Sequence, residues 1–189
     1  GLRIKAFKAP TEEELRHDFL WRISKELPPA GLIGVFDRSH YEDVLIARVR
    51  SLVDTDRLDK RYDAINAFEQ RLVDEGTLVV KCMLHISPEK QEERLLERLD
   101  QPEKHWKFNP GDVDERVLWP AYQDAYEIAL ERCNTETAPW HLVPADRKWY
   151  RNWAVATLLH EALQTMDLAW PTADFDVAEQ RARLLELEL

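Results

Sequence analysis

The sequence predicts an α/β fold, a parallel sheet with helices on both faces. Three observations lead there. Strand-like and helix-like segments alternate along the chain, the pattern that builds parallel sheets through crossover helices. The strand segments are continuous apolar runs, as in "LIGVFD" (32–37) and "TLVVKCMLHIS" (77–87), not the alternation of a half-exposed strand. Charged residues follow these runs directly: Asp37 and Arg38 after the second, Asp146 and Arg147 after the fourth. Parallel sheets bind ligands at the carboxyl ends of their strands, so the exits are where a site belongs.

The elements can be justified in order. "RIKAFK" (3–8) is a short strand stopped by Pro10. "TEEELRHDFLWRISKEL" opens with Thr11 as N-cap and Glu14 three residues on, a capping box. It places Leu15, Phe19, Ile23 and Leu27 on one face, predicting an amphipathic helix that Pro28 and Pro29 end. After the second strand, helices are expected from Tyr41 to about Arg50 and from about Leu58 to Glu75, with Gly76 as the stop. Ser87 caps the next helix and Pro88 takes its first position. A polar connection leads to the helical "WPAYQDAYEIALERC", the strand "WHLVPAD", the long helix "RKWYRNWAVATLLHEALQTM" and an acidic, amphipathic tail from Pro171.

Composition narrows the function. The chain has 189 residues, 44% hydrophobic and 33% charged, enough for one domain with a sizeable core. No apolar run approaches the roughly 20 residues that span a bilayer, and the start carries no signal-peptide pattern. Two cysteines, Cys82 and Cys133, give neither a disulfide framework nor metal spacing and suit a reducing, cytoplasmic setting. A net charge of -10 argues against coating nucleic acid, although a local basic site remains compatible with it.

Two constellations carry chemistry. At the second strand's exit, an Asp followed by Arg and Ser suits phosphoryl transfer. The carboxylate can hold a metal ion and orient phosphate oxygens, and the guanidinium can grip phosphate bidentately. The plain alternative is a surface turn after a buried strand. The second constellation runs from Arg94 to Arg116. Arg94 and Arg98 lie four apart on one helical face, and Lys104, His105 and Lys107 flank Trp106 in a connection bearing Pro102, Pro110 and Gly111. A mobile basic loop of this kind can close over phosphates. Its alternative is a solvated helix end whose bases pair with Glu92, Glu93, Glu97 and Asp100. His17, His85, His141 and His160 read as structural or surface residues, His40 is open between structure and site, and Trp149, Trp153 and Trp21 read as core.

Taken together, "KAPTEEE", "HDFLWR", "GVFDRSHYEDVL", "RLD" with "KHWKF", and "APWH" with "KWYRN" resemble the family-2 polyphosphate kinases from Lys8 to Trp170. The resemblance implies a P-loop kinase fold related to thymidylate kinases. It implies phosphate transfer between inorganic polyphosphate and a nucleotide, assisted by Mg²⁺. On it, Asp37 is a Walker-B-type carboxylate and the metal residue, and Arg38 its phosphate-binding neighbour. Lys8, Arg94, Arg98, Lys104 and Lys107 bind phosphate, the last four in a lid of about 94–118. "HYED" resembles the branch acting on nucleoside mono- and sometimes diphosphates, which makes Tyr41 and Glu42 nucleotide-site candidates. The expected partners are polyphosphate and nucleotide, with neither nucleic acid nor membrane, in a cytoplasmic homo-oligomer.

One family feature is not in these 189 residues: a Gly-rich phosphate loop ending in Gly-Lys. None of Gly1, Gly31, Gly34, Gly76 and Gly111 precedes a lysine in that arrangement. The expectation is a single domain over 1–189 that lacks this N-terminal strand and loop. If that strand belongs in the middle of the sheet, the second and third strands here do not pair with each other. The competing functions are an ATP-dependent nucleoside monophosphate kinase and a non-catalytic phosphate-binding module.

Overall fold

The computed structural model describes residues 1–187. It contains the four expected strands: β1 (Leu2–Ala6), β2 (Ile33–Asp37), β3 (Lys81–His85) and β4 (Trp140–Pro144). They form two parallel ladders. Leu2 faces Ile33 and Ala6 faces Asp37 in the first, and Lys81 faces Trp140 and His85 faces Pro144 in the second. Among the described residues no ladder joins β2 to β3, as expected for strands separated by another.

Among the described residues there are eight α-helices: α1 (Trp21–Ser24), α2 (Glu42–Val49), α3 (Thr55–Asp74), α4 (Pro88–Asp100), α5 (Gly111–Val117), α6 (Trp119–Arg132), α7 (Lys148–Thr165) and α8 (Val177–Leu185). Local chemistry sets their ends. The Asp54 side chain accepts from the Arg57 N–H to start α3, and Ser87 accepts from the Lys90 N–H to start α4 ahead of Pro88. Gly76 supplies φ 88° after α3, where a side chain would be strained. Within the acidic tail α8 forms, while Glu188 and Leu189 lie outside the described residues.

The first expected helix does not form in one piece. Its capping box is made: the Thr11 N–H donates to Glu14 Oε2 at 2.7 Å and the Glu14 N–H to Thr11 Oγ1 at 3.3 Å. The box opens only a 3-10 turn, Glu14–Arg16. His17 is extended (φ -109°, ψ 170°), and Asp18 accepts from the Leu20 N–H at 2.9 Å, restarting the chain toward α1. Asp18 competes with the helix for its own neighbouring amides, as short polar side chains do. Leu15 is consequently exposed while Ile23 is fully buried.

The core has two clusters. One joins α2, α3 and α6 through Val44, Leu45, Tyr62, Ile65, Ala125 and Ala129, and the other joins Phe7, Ile23, Phe68 and Leu72 under β1 and β2. Leu20 packs against both, so they are continuous. Cover of the strands is uneven. Phe36 meets Phe7 edge-on at 5.1 Å on the filled side, whereas Leu2, Ile4 and Val35 are exposed. Trp149 and Trp153 of α7, expected in the core, are also exposed: α7 packs on β4, and Trp153 borders an open hollow beside that strand. Trp21 is half-buried and stacks on His17 at 3.9 Å. No described helix is long and apolar enough to cross a membrane.

Ile65 is fully buried between α2 and α6. Ile65→Ala is therefore expected to destabilise the fold by about 2–5 kcal/mol, and Asp54→Ala by about 1 kcal/mol. Urea unfolding of both variants checks the ranking, and equal losses would contradict this account of the core.

Candidate active site at the strand exits

The exits of β1 and β2 are fastened together. The Phe7 N–H donates to the Asp37 carbonyl at 3.0 Å, carrying the ladder past β1. The buried Arg22 donates to the Lys8 carbonyl at 2.9 Å and to the Asp43 carboxylate at 3.4 Å. Asp37 and Arg38, with Lys8 beside them, are exposed at this edge, as the sequence implies. Arg38 has φ 64°, a left-handed backbone that costs a non-glycine residue about 1–3 kcal/mol. Such strain persists where the surroundings over-determine it, and it gathers at working sites. Glu42, in the first turn of α2, has its carboxyl pushed up by burial, partly offset by the Arg38 charge, with Asp43 and Asp37 adding to the rise. Asp37, Arg38 and Glu42 thus share one electrostatic neighbourhood.

The exits of β3 and β4 are fastened separately. The Ser87 N–H donates to Asp146 Oδ1 at 2.8 Å, which together with the Ser87 hydroxyl holds the Asp146 carboxyl below its usual range. Arg94 donates to the carbonyls of Ala145 at 2.7 Å and Asp146 at 3.1 Å. It therefore serves the β4 exit with backbone bonds as well as bringing a positive charge there.

The basic stretch after Arg94 is mostly helical and not an open loop. A 3-10 helix covers Pro102–Lys107, and α5 follows from Gly111. Arg98 reaches the Lys107 carbonyl and the Asp112 carboxylate, both at 3.4 Å. Lys104 pairs with Glu97, Lys90 with Glu93 and Arg116 with Glu92, so part of the solvated-helix alternative is realised. Lys107 lies over the exposed Trp106 ring at 4.9 Å, with no carboxylate within ion-pair distance among the described residues.

Tyr41 goes elsewhere. Its ring is 4% exposed and its hydroxyl donates to Glu69 Oε1 at 2.9 Å, so this side chain belongs to the core, while Glu42 stays near the exit. His40, open in sequence, is buried beside it, with Nε2 3.2 Å from the same oxygen. Glu69 and Lys81 were not singled out by sequence. The available signal was a lone lysine inside the apolar run of β3, and a glutamate on the buried face of α3 with Tyr62, Ile65 and Leu72.

Among the described residues no group of three or more His, Cys, Asp or Glu forms a metal cage. Mg²⁺ does not require one, since it is commonly held by one or two carboxylates plus substrate phosphates. A single exposed Asp37 fits that habit.

The Ser87–Asp146 bond carries a pH signature. A carboxyl held low when folded stabilises the protein above its unfolded value, near 3.9, and loses that effect as pH falls through the folded value. Asp146→Asn is expected to lower stability at pH 7 and to converge with the parent as pH falls through the folded value of the carboxyl. Thermal melts across pH measure this, and a constant difference would exclude it.

Comparisons with known proteins agree on one family. The family model for Polyphosphate kinase 2 matches residues 1–170. An AMP/ADP-polyphosphate phosphotransferase of Meiothermus ruber is 49% identical over 171 residues, covering 90% of this chain and 64% of that protein. An ADP-polyphosphate phosphotransferase of Rhodopseudomonas palustris is 40% identical, covering 90% of this chain and 63% of its own. The chain thus spans a little under two thirds of these relatives. The crystal structure of Polyphosphate Kinase 2 from Arthrobacter aurescens superposes with a TM-score of 0.96 at 56% identity, over 99% of this chain and 66% of that one. Paired strand exits on an α/β scaffold, the Asp-Arg turn at one of them and these matches place the chain in the polyphosphate kinase 2 family, with its P-loop kinase-like fold.

Proposed function

We propose that this protein moves phosphate between inorganic polyphosphate and nucleoside mono- or diphosphates. The observation that carries the proposal is the β2 exit, where Asp37 and a strained Arg38 stand exposed beside Glu42 on a buried support. The relatives' activities support it, since the names cited above are those of polyphosphate phosphotransferases acting on AMP and ADP.

Phosphoryl transfer asks little covalent chemistry of a protein; catalysis is positioning and neutralisation of charge. Asp37 orients the reacting phosphates and is the residue that would hold Mg²⁺. The ion, when bound, supplies positive charge against the phosphate oxygens. Arg38 presents a planar pair of donors to one phosphate. Lys8 contributes charge from the β1 exit. Arg94, Arg98, Lys104 and Lys107 form the inner surface of a lid over about 94–118, a local run of bases in an acidic protein. Glu42 lies where the nucleotide is received. The phosphate loop belongs to a further parallel strand between β2 and β3 in a single domain, consistent with two ladders that do not join and with exposed Val35 and Leu84 beside them. The assembly is a cytoplasmic homo-oligomer.

Full-length protein given polyphosphate with AMP, ADP, GMP or GDP should form the next higher phosphate of at least one of them. Phosphorylation of a monophosphate by ATP, with no response to polyphosphate, would instead identify a nucleotide kinase. Asp37→Asn should lower kcat by orders of magnitude with the fold intact, and near-normal turnover would remove Asp37 from the site. Arg98→Gln and Lys107→Gln should raise the KM for polyphosphate more than that for nucleotide, the defect deepening with salt. An equal effect on both substrates would take these bases out of the polyphosphate path.

A further inference from the structure

A buried polar cluster lies directly behind the β2 exit. Glu69 is 1% exposed, Tyr41 4%, Lys81 7% and His40 8%. Lys81 Nζ donates to Glu69 Oε2 at 2.6 Å, to the Tyr41 hydroxyl at 2.9 Å and to the Cys133 carbonyl at 2.7 Å. An ammonium has three donors, and all three are used. Glu69 Oε1 takes the Tyr41 hydroxyl at 2.9 Å and faces His40 Nε2 at 3.2 Å. Aromatic rings close the cluster: Trp140 meets Tyr41 at 4.6 Å, and Phe68 meets His40 at 5.6 Å. Four segments converge here: the turn after β2, α3, β3 and the end of α6.

We infer that the Glu69–Lys81 pair positions the Asp37–Arg38 turn, acting on the reaction through His40 and Tyr41. The inference rests on the phosphotransferase reading of that turn. Its physical grounds are three. Arg38 is held at φ 64°, which needs external support, and the two residues fixed by Glu69 begin two positions later. Glu42 and Asp43, which continue the turn into α2, donate their N–H groups to the Ser39 and His40 carbonyls, so fixing His40 and Tyr41 fixes the whole segment. Finally, a buried ion pair adds little net stability over apolar groups of the same volume, whereas its directional bonds specify one arrangement. For packing alone, leucine and methionine would serve.

That last point supplies the test, done in the full-length enzyme. Glu69→Gln and Lys81→Met singly leave an unpaired buried partner, and both should lower Tm. The double variant Glu69→Leu with Lys81→Met removes both charges and should recover part of the Tm, the remaining loss coming from the Tyr41 hydroxyl, His40 and the Cys133 carbonyl left without these partners. If the pair positions the turn, kcat stays depressed in the double variant by about 10- to 100-fold, of the order lost when catalytic groups are misplaced. The KM for polyphosphate, set by the lid, should change by less than about twofold. Amide hydrogen exchange over 39–43 should quicken at least tenfold in the double variant while α6 is unchanged. This readout needs no substrate, so it separates a failure of the inference from a failure of the functional assignment. Recovery of kcat together with Tm, or unchanged exchange at 39–43, would make the pair a stability element only and overturn the inference. Should the double variant not fold, Tyr41→Phe removes one bridging hydroxyl and keeps the ring. A lower kcat with unchanged nucleotide KM supports positioning, whereas a raised nucleotide KM with unchanged kcat would make Tyr41 a ligand contact and overturn it.

Discussion

The Glu69 carboxylate is the constraint around which the chain is arranged. A buried carboxylate is costly unless its oxygens are filled, and here both are: Lys81 on one, Tyr41 and His40 on the other. Burial alone would raise its carboxyl, but the bonds from His40 and Lys81 and the lysine's charge bring it below its usual range. The same surroundings push the Tyr41 hydroxyl far up, through burial and then the Glu69 charge, so it stays protonated and able to donate. The donors come from two different elements, Lys81 from β3 and His40 with Tyr41 from the turn after β2, so satisfying one anion fixes the relation of α3 to both.

That arrangement accounts for the contrast at the β2 exit. Residues 37 and 38 are exposed and 40 and 41 are buried, so the chain passes from solvent to core within three positions. A left-handed Arg38 makes the necessary sharp change of direction. Arginine pays backbone strain there where glycine would not, and glycine would bring no charge. The β3 and β4 exits need no such device. The Ser87 N–H and the Arg94 guanidinium fasten them from outside.

The basic stretch after Arg94 obeys a different balance. Its ion pairs, Lys104 with Glu97 and Arg98 with Asp112, are between partly exposed groups, and such pairs contribute little to stability and yield readily to a stronger anion. Bases neutralised by a neighbouring carboxylate in this way can exchange that partner for phosphate at small cost. Lys107, resting on Trp106, has even less to give up.

Much of this was legible in the sequence. Strand identity, parallel pairing, the cap at Ser87, the stop at Gly76 and the place of Asp37 and Arg38 at a strand exit follow from apolar runs, turn chemistry and the placement of charge, all local properties. The family is carried by motifs in order, again without reference to contacts. What sequence did not show were relations between distant positions. The Thr11 capping box was correctly placed, yet the helix broke where Asp18 bound its own amides, because two local preferences competed and packing of Ile23 decided. Tyr41, placed by its motif near the nucleotide, turned inward because Glu69, 28 residues away, and Lys81, 40 residues away, offered its hydroxyl two partners. Sequence therefore determined which residues stand at the strand exits. Tertiary structure alone decided which of them face outward, because that depends on where buried charges find one another.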